Sequence, residues 1–166
     1  MTGLRVIALI DRSVASILRG AQWLVLPVVV LLFLQWPLRD IVRNYSREAN
    51  DLGQWLFALY VAASVTAATR AGTHLAADVL ARGYPGHVRS LLHRLGAAVG
   101  LLPWAVLVVL TSKTLVLSSI ATLEAFPDTV NPGYFLIKVA LWVLAGLVFA
   151  QALIDIALPS RHEACD

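Results

Sequence analysis

Arg70, His74, Asp78 and Arg82 recur every four residues, and they are the side chains in this chain best spaced to act together. On a helix they share one face, so Asp78 can meet His74 one turn back and Arg82 one turn on. Catalysis would need a nucleophile, a base and an oxyanion donor converging on one point, and no such set converges here. Two readings of the segment stand. It is a charged surface connector whose i,i+4 pairs each contribute a few tenths of a kcal/mol. Alternatively, His74 and Asp78 hold it in one shape for a partner subunit or for lipid headgroups. The other histidines offer no metal chemistry: His87 and His93 lie in the same stretch, and His162 is near the last residue. A haem held between membrane helices would need axial histidines within the apolar runs, and none is there. Cys165 is the single cysteine, so the chain forms no internal disulfide, and no Cys/His cluster has metal-ligand spacing.

The elements that must position these residues follow from four apolar runs. Gly20–Leu38, Leu52–Thr69, Leu95–Ser112 and Val139–Ile154 contain no Asp, Glu, Lys or Arg. A helix needs roughly 20 predominantly apolar residues to cross a bilayer. The runs are continuous rather than alternating, and a backbone in lipid must satisfy its own hydrogen bonds, so helices are expected rather than a barrel. Only 14% of residues are charged and the mean hydropathy is +0.77, too little charge over too much apolar sequence for a water-soluble domain. The expected fold is an all-α integral membrane protein, a single domain over residues 1–166, with spans near 20–38, 52–69, 95–116 and 134–156 and an amphipathic cytoplasmic connector over 70–94. The first run follows Arg5, Arg12 and Arg19 as a signal sequence would. It is too long for a typical signal core and lacks a small-residue cleavage site, so it reads as an uncleaved span.

Charge orients the chain. Arg5, Arg12, Arg19, Arg70, Arg82, Arg89, Arg94 and Arg161 fall on one side; Arg39, Arg43, Arg47, Lys113 and Lys138 fall on the other. The basic excess marks the cytoplasm, which places both termini and the 70–94 connector there. The pI of 9.4 thus reflects topology and phospholipid headgroups, not nucleic acid. Trp23, Trp36 and Trp55 sit near span ends, where amphipathic rings favour the interface. Pro27 and Pro103 fall within spans one and three, where each removes a backbone donor and can kink the helix.

Within the connector, Gly83-Tyr84-Pro85-Gly86 breaks the helix that carries Arg70. A second amphipathic stretch follows, with Val88, Leu91, Leu92 and Leu95 opposite Arg89, His93 and Arg94. This pattern fits a helix on the membrane surface that then enters span three. On the outer side, Asn50 or Asp51 is the expected cap of span two, and Asp128 or Asn131 that of span four. Polar groups inside the spans are few: Gln22, Gln35, Ser64, Thr66 and Gln151. An alternating-access carrier places ionisable groups or broken helices near the midplane, and nothing here resembles such a relay.

The segment Thr69-Arg70-Ala71-Gly72-Thr73-His74-Leu75-Ala76-Ala77-Asp78-Val79-Leu80 resembles the R-x-G-x-H-hydrophobic-x-x-D pattern after the second span of the small membrane subunits, the DctQ family, of tripartite ATP-independent periplasmic (TRAP) transporters. Pro85, Arg89, the Glu124-x-x-Pro127 element and the four-span layout are similar too. The resemblance implies a bacterial inner-membrane subunit with no catalytic residues and no cofactor. Its implied partners are a large membrane subunit on a separate chain, which carries the substrate and sodium sites, and a periplasmic substrate-binding protein that delivers a small solute, commonly an organic acid. By the same resemblance Arg70, Gly72, His74 and Asp78 shape the cytoplasmic loop, while Glu124 and Pro127 lie near the binding protein. The competing readings are a haem-binding or other membrane anchor of a redox complex, and a stand-alone membrane enzyme or small carrier.

Overall fold

The computed structural model describes residues 2–41, 46–71 and 84–157. Among the described residues there are six α-helices: α1 (Thr2–Gln22), α2 (Val25–Asp40), α3 (Arg47–Ala71), α4 (Gly86–Gly96), α5 (Leu102–Ala121) and α6 (Tyr134–Ala157), with a π-helical turn at Ala97–Leu101 between α4 and α5. Four helical stretches are long and apolar enough to cross a membrane: Arg5–Pro37, Arg47–Ala71, Gly86–Ala121 and Tyr134–Ala157. The fold is therefore all-α with four membrane-spanning stretches. Gly72, His74 and Asp78 lie outside the described residues.

Both mid-span prolines leave the mark that their chemistry requires. Pro27 has no N–H for the carbonyl of Trp23, and its ring crowds that carbonyl. The helix breaks there: Leu26 N–H takes the Trp23 oxygen at 3.2 Å, while Trp23 and Leu24 bond back three residues to Gly20 and Ala21 at 3.1 and 3.0 Å. Pro103 likewise leaves Val99 without its usual donor. The chain answers by widening the preceding turn, so that Leu102 N–H bonds the Ala97 carbonyl five residues back.

The cap of α3 differs from the sequence expectation. Ser46, not Asn50 or Asp51, holds the helix start, its Oγ accepting from Ala49 N–H at 3.2 Å. Hydroxyl geometry decides this, because Ser46 stands three residues before a bare N–H and outside the first turn. Asp51 is already inside α3, where it is buried and serves another purpose. Gly133 stands immediately before α6, and its carbonyl accepts from Leu136 N–H at 2.9 Å, so neither Asp128 nor Asn131 is adjacent to that helix start.

The helices pack as an open row rather than a closed ring. α2 lies against α3, α3 against α6, and α6 against α5, while α1 packs against both α3 and α6. α6 is the centre, burying Ala140, Ala145, Leu147, Val148, Gln151, Ala152 and Ile154. Small residues line the crossings: Ala62 and Ala63 on α3, Ala105 on α5, and Ala145 and Ala152 on α6 are all buried. Lipid tails are as apolar as leucine, so helices in a membrane associate by close packing, which small residues allow. Val14 and Leu18 of α1 join Ala63, Leu147 and Ile154 in one cluster, while Arg5, Arg12 and Arg19 stay on the exposed side of α1.

Candidate functional site

Polar side chains gather at the two ends of the row. At the end that carries the N-terminus, Arg70 in the last turn of α3 forms an ion pair with Asp11 of α1, and both side chains are about five-sixths buried. Arg70 Nη1 also donates to Gln151 Oε1 of α6 at 3.1 Å. Gln151 Nε2 in turn donates to Asp155 Oδ1 at 2.7 Å. Three helices are thus pinned by one guanidinium, whose planar fork can bond two partners at once.

At the opposite end, the 122–133 connection is folded tightly over the helix ends. Thr129 Oγ1 donates to the buried Asp51 of α3. Glu124 accepts from Ser119 at the end of α5 and pairs with Lys138 of α6. The Lys138 ammonium, with Ser119 as a second donor, holds the Glu124 carboxyl below the usual carboxylate range. Lys138 also lies 5.3 Å from the centre of the Tyr134 ring, and Tyr134 meets Phe126 edge-on at 5.5 Å. Phe126 is buried; its N–H donates to Asn131 O and its carbonyl accepts from Val130 N–H, both at 2.9 Å. Leu123 and Val130 adopt positive φ, as does Gly133 at +146°, where a Cβ would stand 3.5 Å from the Phe126 ring.

Between the two ends the row is apolar. Trp142 Nε1 donates to Ser112 Oγ at 2.9 Å, joining α6 to α5. An open groove of about 300 Å³ runs between these helices, with Ala105, Ala145 and Gly146 among its lining residues. A second hollow of about 270 Å³, lined by Arg47, Asn50, Asp51 and Asp128, opens at the Glu124 end. Among the described residues no group of three His, Cys, Asp or Glu side chains is placed to hold a metal ion. His87 and His93 are both exposed on α4.

The residues singled out from sequence are distributed as follows. Arg70 has partners from α1 and α6, which spacing along the chain does not reveal. Glu124 is engaged within the chain, whereas Pro127 is exposed at the tip of its connection. Asp11, Asp51, Ser119 and Thr129 are partners that the sequence pattern does not mark. The only signal for the first two was the presence of a carboxylate on or next to an apolar helix, where a charge needs a partner.

Open helical packing, polar groups bonded to one another at both ends and a largely apolar middle define a small polytopic membrane protein. The comparison with protein families gives that class its name. A model for the DctQ component of tripartite ATP-independent periplasmic transporters matches residues 17–162, and the chain belongs to this family. It is a small permease subunit of a TRAP transporter, an inner-membrane component that works with a large membrane subunit and a binding protein. Comparison with curated proteins gave no match, and comparison with solved structures gave none either.

Proposed function

We propose that this chain is the non-catalytic scaffold of a sodium-coupled TRAP transporter, bracing a large subunit on a separate chain during uptake of a small organic acid. The observation that carries this reading is the open row. α2 and α5 each pack extensively on one neighbouring helix, so broad apolar faces remain for another membrane protein. Membership of the DctQ family supports the sodium coupling and the partner set. The basic excess on the N-terminal side supports cytoplasmic termini. Arg70 contributes by fixing α1 to α3 and α6, and the His74–Asp78 segment beyond it is the cytoplasmic contact to partner or lipid. Pro127 stands at the tip of the connection facing the periplasm, where a binding protein would approach.

The test is purification of the tagged chain from its native membrane in mild detergent, with mass spectrometry of what accompanies it, followed by uptake assays with and without the chain. Recovery of a large polytopic permease, and loss of organic-acid uptake in the deletion strain, is the expected result. Recovery with redox subunits and a Soret band, or uptake indifferent to the deletion, overturns the reading. Replacing sodium in the uptake buffer tests the coupling ion separately.

A further inference from the structure

Helix α4 is amphipathic in the reverse sense from a surface helix of a soluble protein. Val88, Leu91, Leu92 and Leu95 recur at i, i+3, i+4 and i+7 and share one face. Its leucines are turned outward, Leu91, Leu92 and Leu95 being 57%, 49% and 50% exposed, while Val88 is half-buried. On the other arc Arg89, Ser90 and Arg94 are half-buried where α4 rests against α6, while His87 and His93 are exposed. A helix bathed in water would present its arginines and hide its leucines.

The leucine face also has no end at the start of span three. Leu92, Leu95, Val99, Val106 and Leu110 follow one another along the continuous α4–π–α5 rod, and all are exposed. The rod from Gly86 to Ala121 has 36 residues, or about 54 Å at helical rise, against a hydrocarbon core of about 30 Å. The π turn beside Pro103 is where such a rod can bend. Every ionisable side chain from Gly86 to Ala121 (His87, Arg89, His93, Arg94 and Lys113) is basic or imidazole, with no acid among them. That sign complements anionic phospholipid headgroups.

We propose that α4 lies in the membrane interface with its leucine face in the acyl chains of the leaflet nearest Arg70, continuing the exposed apolar strip of α5. The occupant of this face is phospholipid hydrocarbon, and the basic side chains of α4 sit at headgroup level. This inference depends on membrane insertion alone and stands or falls apart from the transporter reading.

The experiment places a nitroxide label at single cysteines in a Cys165→Ser background. Leu91→Cys, Leu92→Cys and Leu95→Cys are each measured in the full chain, purified free of other subunits, in nanodiscs of phosphatidylethanolamine and phosphatidylglycerol. Val106→Cys serves as the lipid reference and Asp128→Cys as the aqueous one. The expected result is a ratio of oxygen to nickel-chelate collision rates at Leu92 and Leu95 comparable with that at Val106 and far above that at Asp128. Ready access of the nickel chelate would show that α4 projects into water. Protection from both reagents would show that protein covers the face. Either outcome overturns the proposal, and three separate sites guard against one label disturbing the fold.

Discussion

Removing the Arg70 guanidinium should loosen the bundle at one end, and the structure sets the size of the effect. Arg70 and Asp11 retain only 15% and 16% of their side-chain exposure, so solvent screens the pair weakly. Breaking a buried pair by deleting one partner costs about 3–5 kcal/mol, because the other charge stays desolvated. The remaining exposure puts Arg70→Gln near the low end, at about 3 kcal/mol, or roughly a hundredfold in the folding equilibrium. Loss of the Arg70–Gln151 bond is contained in that figure. Asp11→Asn should cost less, since asparagine can still accept a hydrogen bond. A double-mutant cycle over these two positions isolates the pair, with an expected coupling of about 2 kcal/mol. Equilibrium unfolding of the full chain in mixed micelles of dodecyl maltoside and sodium dodecyl sulfate gives all four stabilities. Polar contacts between membrane helices average about 0.6 kcal/mol in such cycles. A coupling no larger than that would refute the claim that one guanidinium fastens α1 to α3 and α6, and would class the bond as an ordinary interfacial contact.

Glu124 supplies a pH test. Its folded carboxyl is held low by Lys138 and Ser119, so the contribution is full above the ordinary value of about 4.5 and is lost as pH falls through the folded one. Wild type should therefore be more stable than Glu124→Gln at neutral pH, with the gap closing in acid; a gap that is constant with pH would dismiss the ion pair. Gly133→Ala should destabilise by about 1–3 kcal/mol in the same unfolding assay, because alanine resists φ near +146° at this position. Unchanged stability would mean that the connection relaxes freely. Val108→Arg puts a charge in the apolar stretch of α5 at about 2.5–3.5 kcal/mol on insertion scales, so membrane yield should fall. Normal yield would mean that span three is placed wrongly. His74→Ala with Asp78→Ala should weaken recovery of the large subunit without blocking insertion; intact assembly and uptake would return that segment to a plain connector.

Fold class was legible because the membrane imposes so few solutions. Charge-free runs of span length leave helices as the reading, and the prolines at 27 and 103 announce where those helices deform. The pairings were not legible. Arg70 is 59 residues from Asp11 and 81 from Gln151, and an i,i+4 argument sees only Arg70's neighbours along its own helix. The same limit hid the Asp51–Thr129 bond, which closes over 78 residues, and led to Asp51 being read as a helix cap. Glu124 stands out in the sequence as an outer-loop residue, but its turn toward Lys138 goes with the positive φ values at Leu123 and Gly133 around a buried Phe126. No local pattern announces positive φ at a leucine.

The placement of these bonds has a physical logic that bears on assembly. Between helices in lipid there is no hydrophobic driving force, so a single row of helices needs directional contacts beyond the packing of Ala63, Ala105, Ala145 and Ala152. A charge pair at the midplane would carry the full desolvation cost. At the ends of the row, headgroups and water lower that cost while the pair still excludes alternative registers. Asp11 with Arg70, and Glu124 with Lys138, take these positions, and midway the neutral Trp142–Ser112 bond joins α5 to α6. Thr66 Oγ1 and Arg94 Nε are the exceptions among the described residues, buried without a hydrogen-bond partner. The broad faces are left to apolar side chains, which lipid solvates as well as protein does. A partner that docks on such a face meets chiefly apolar side chains, so shape complementarity decides what binds it.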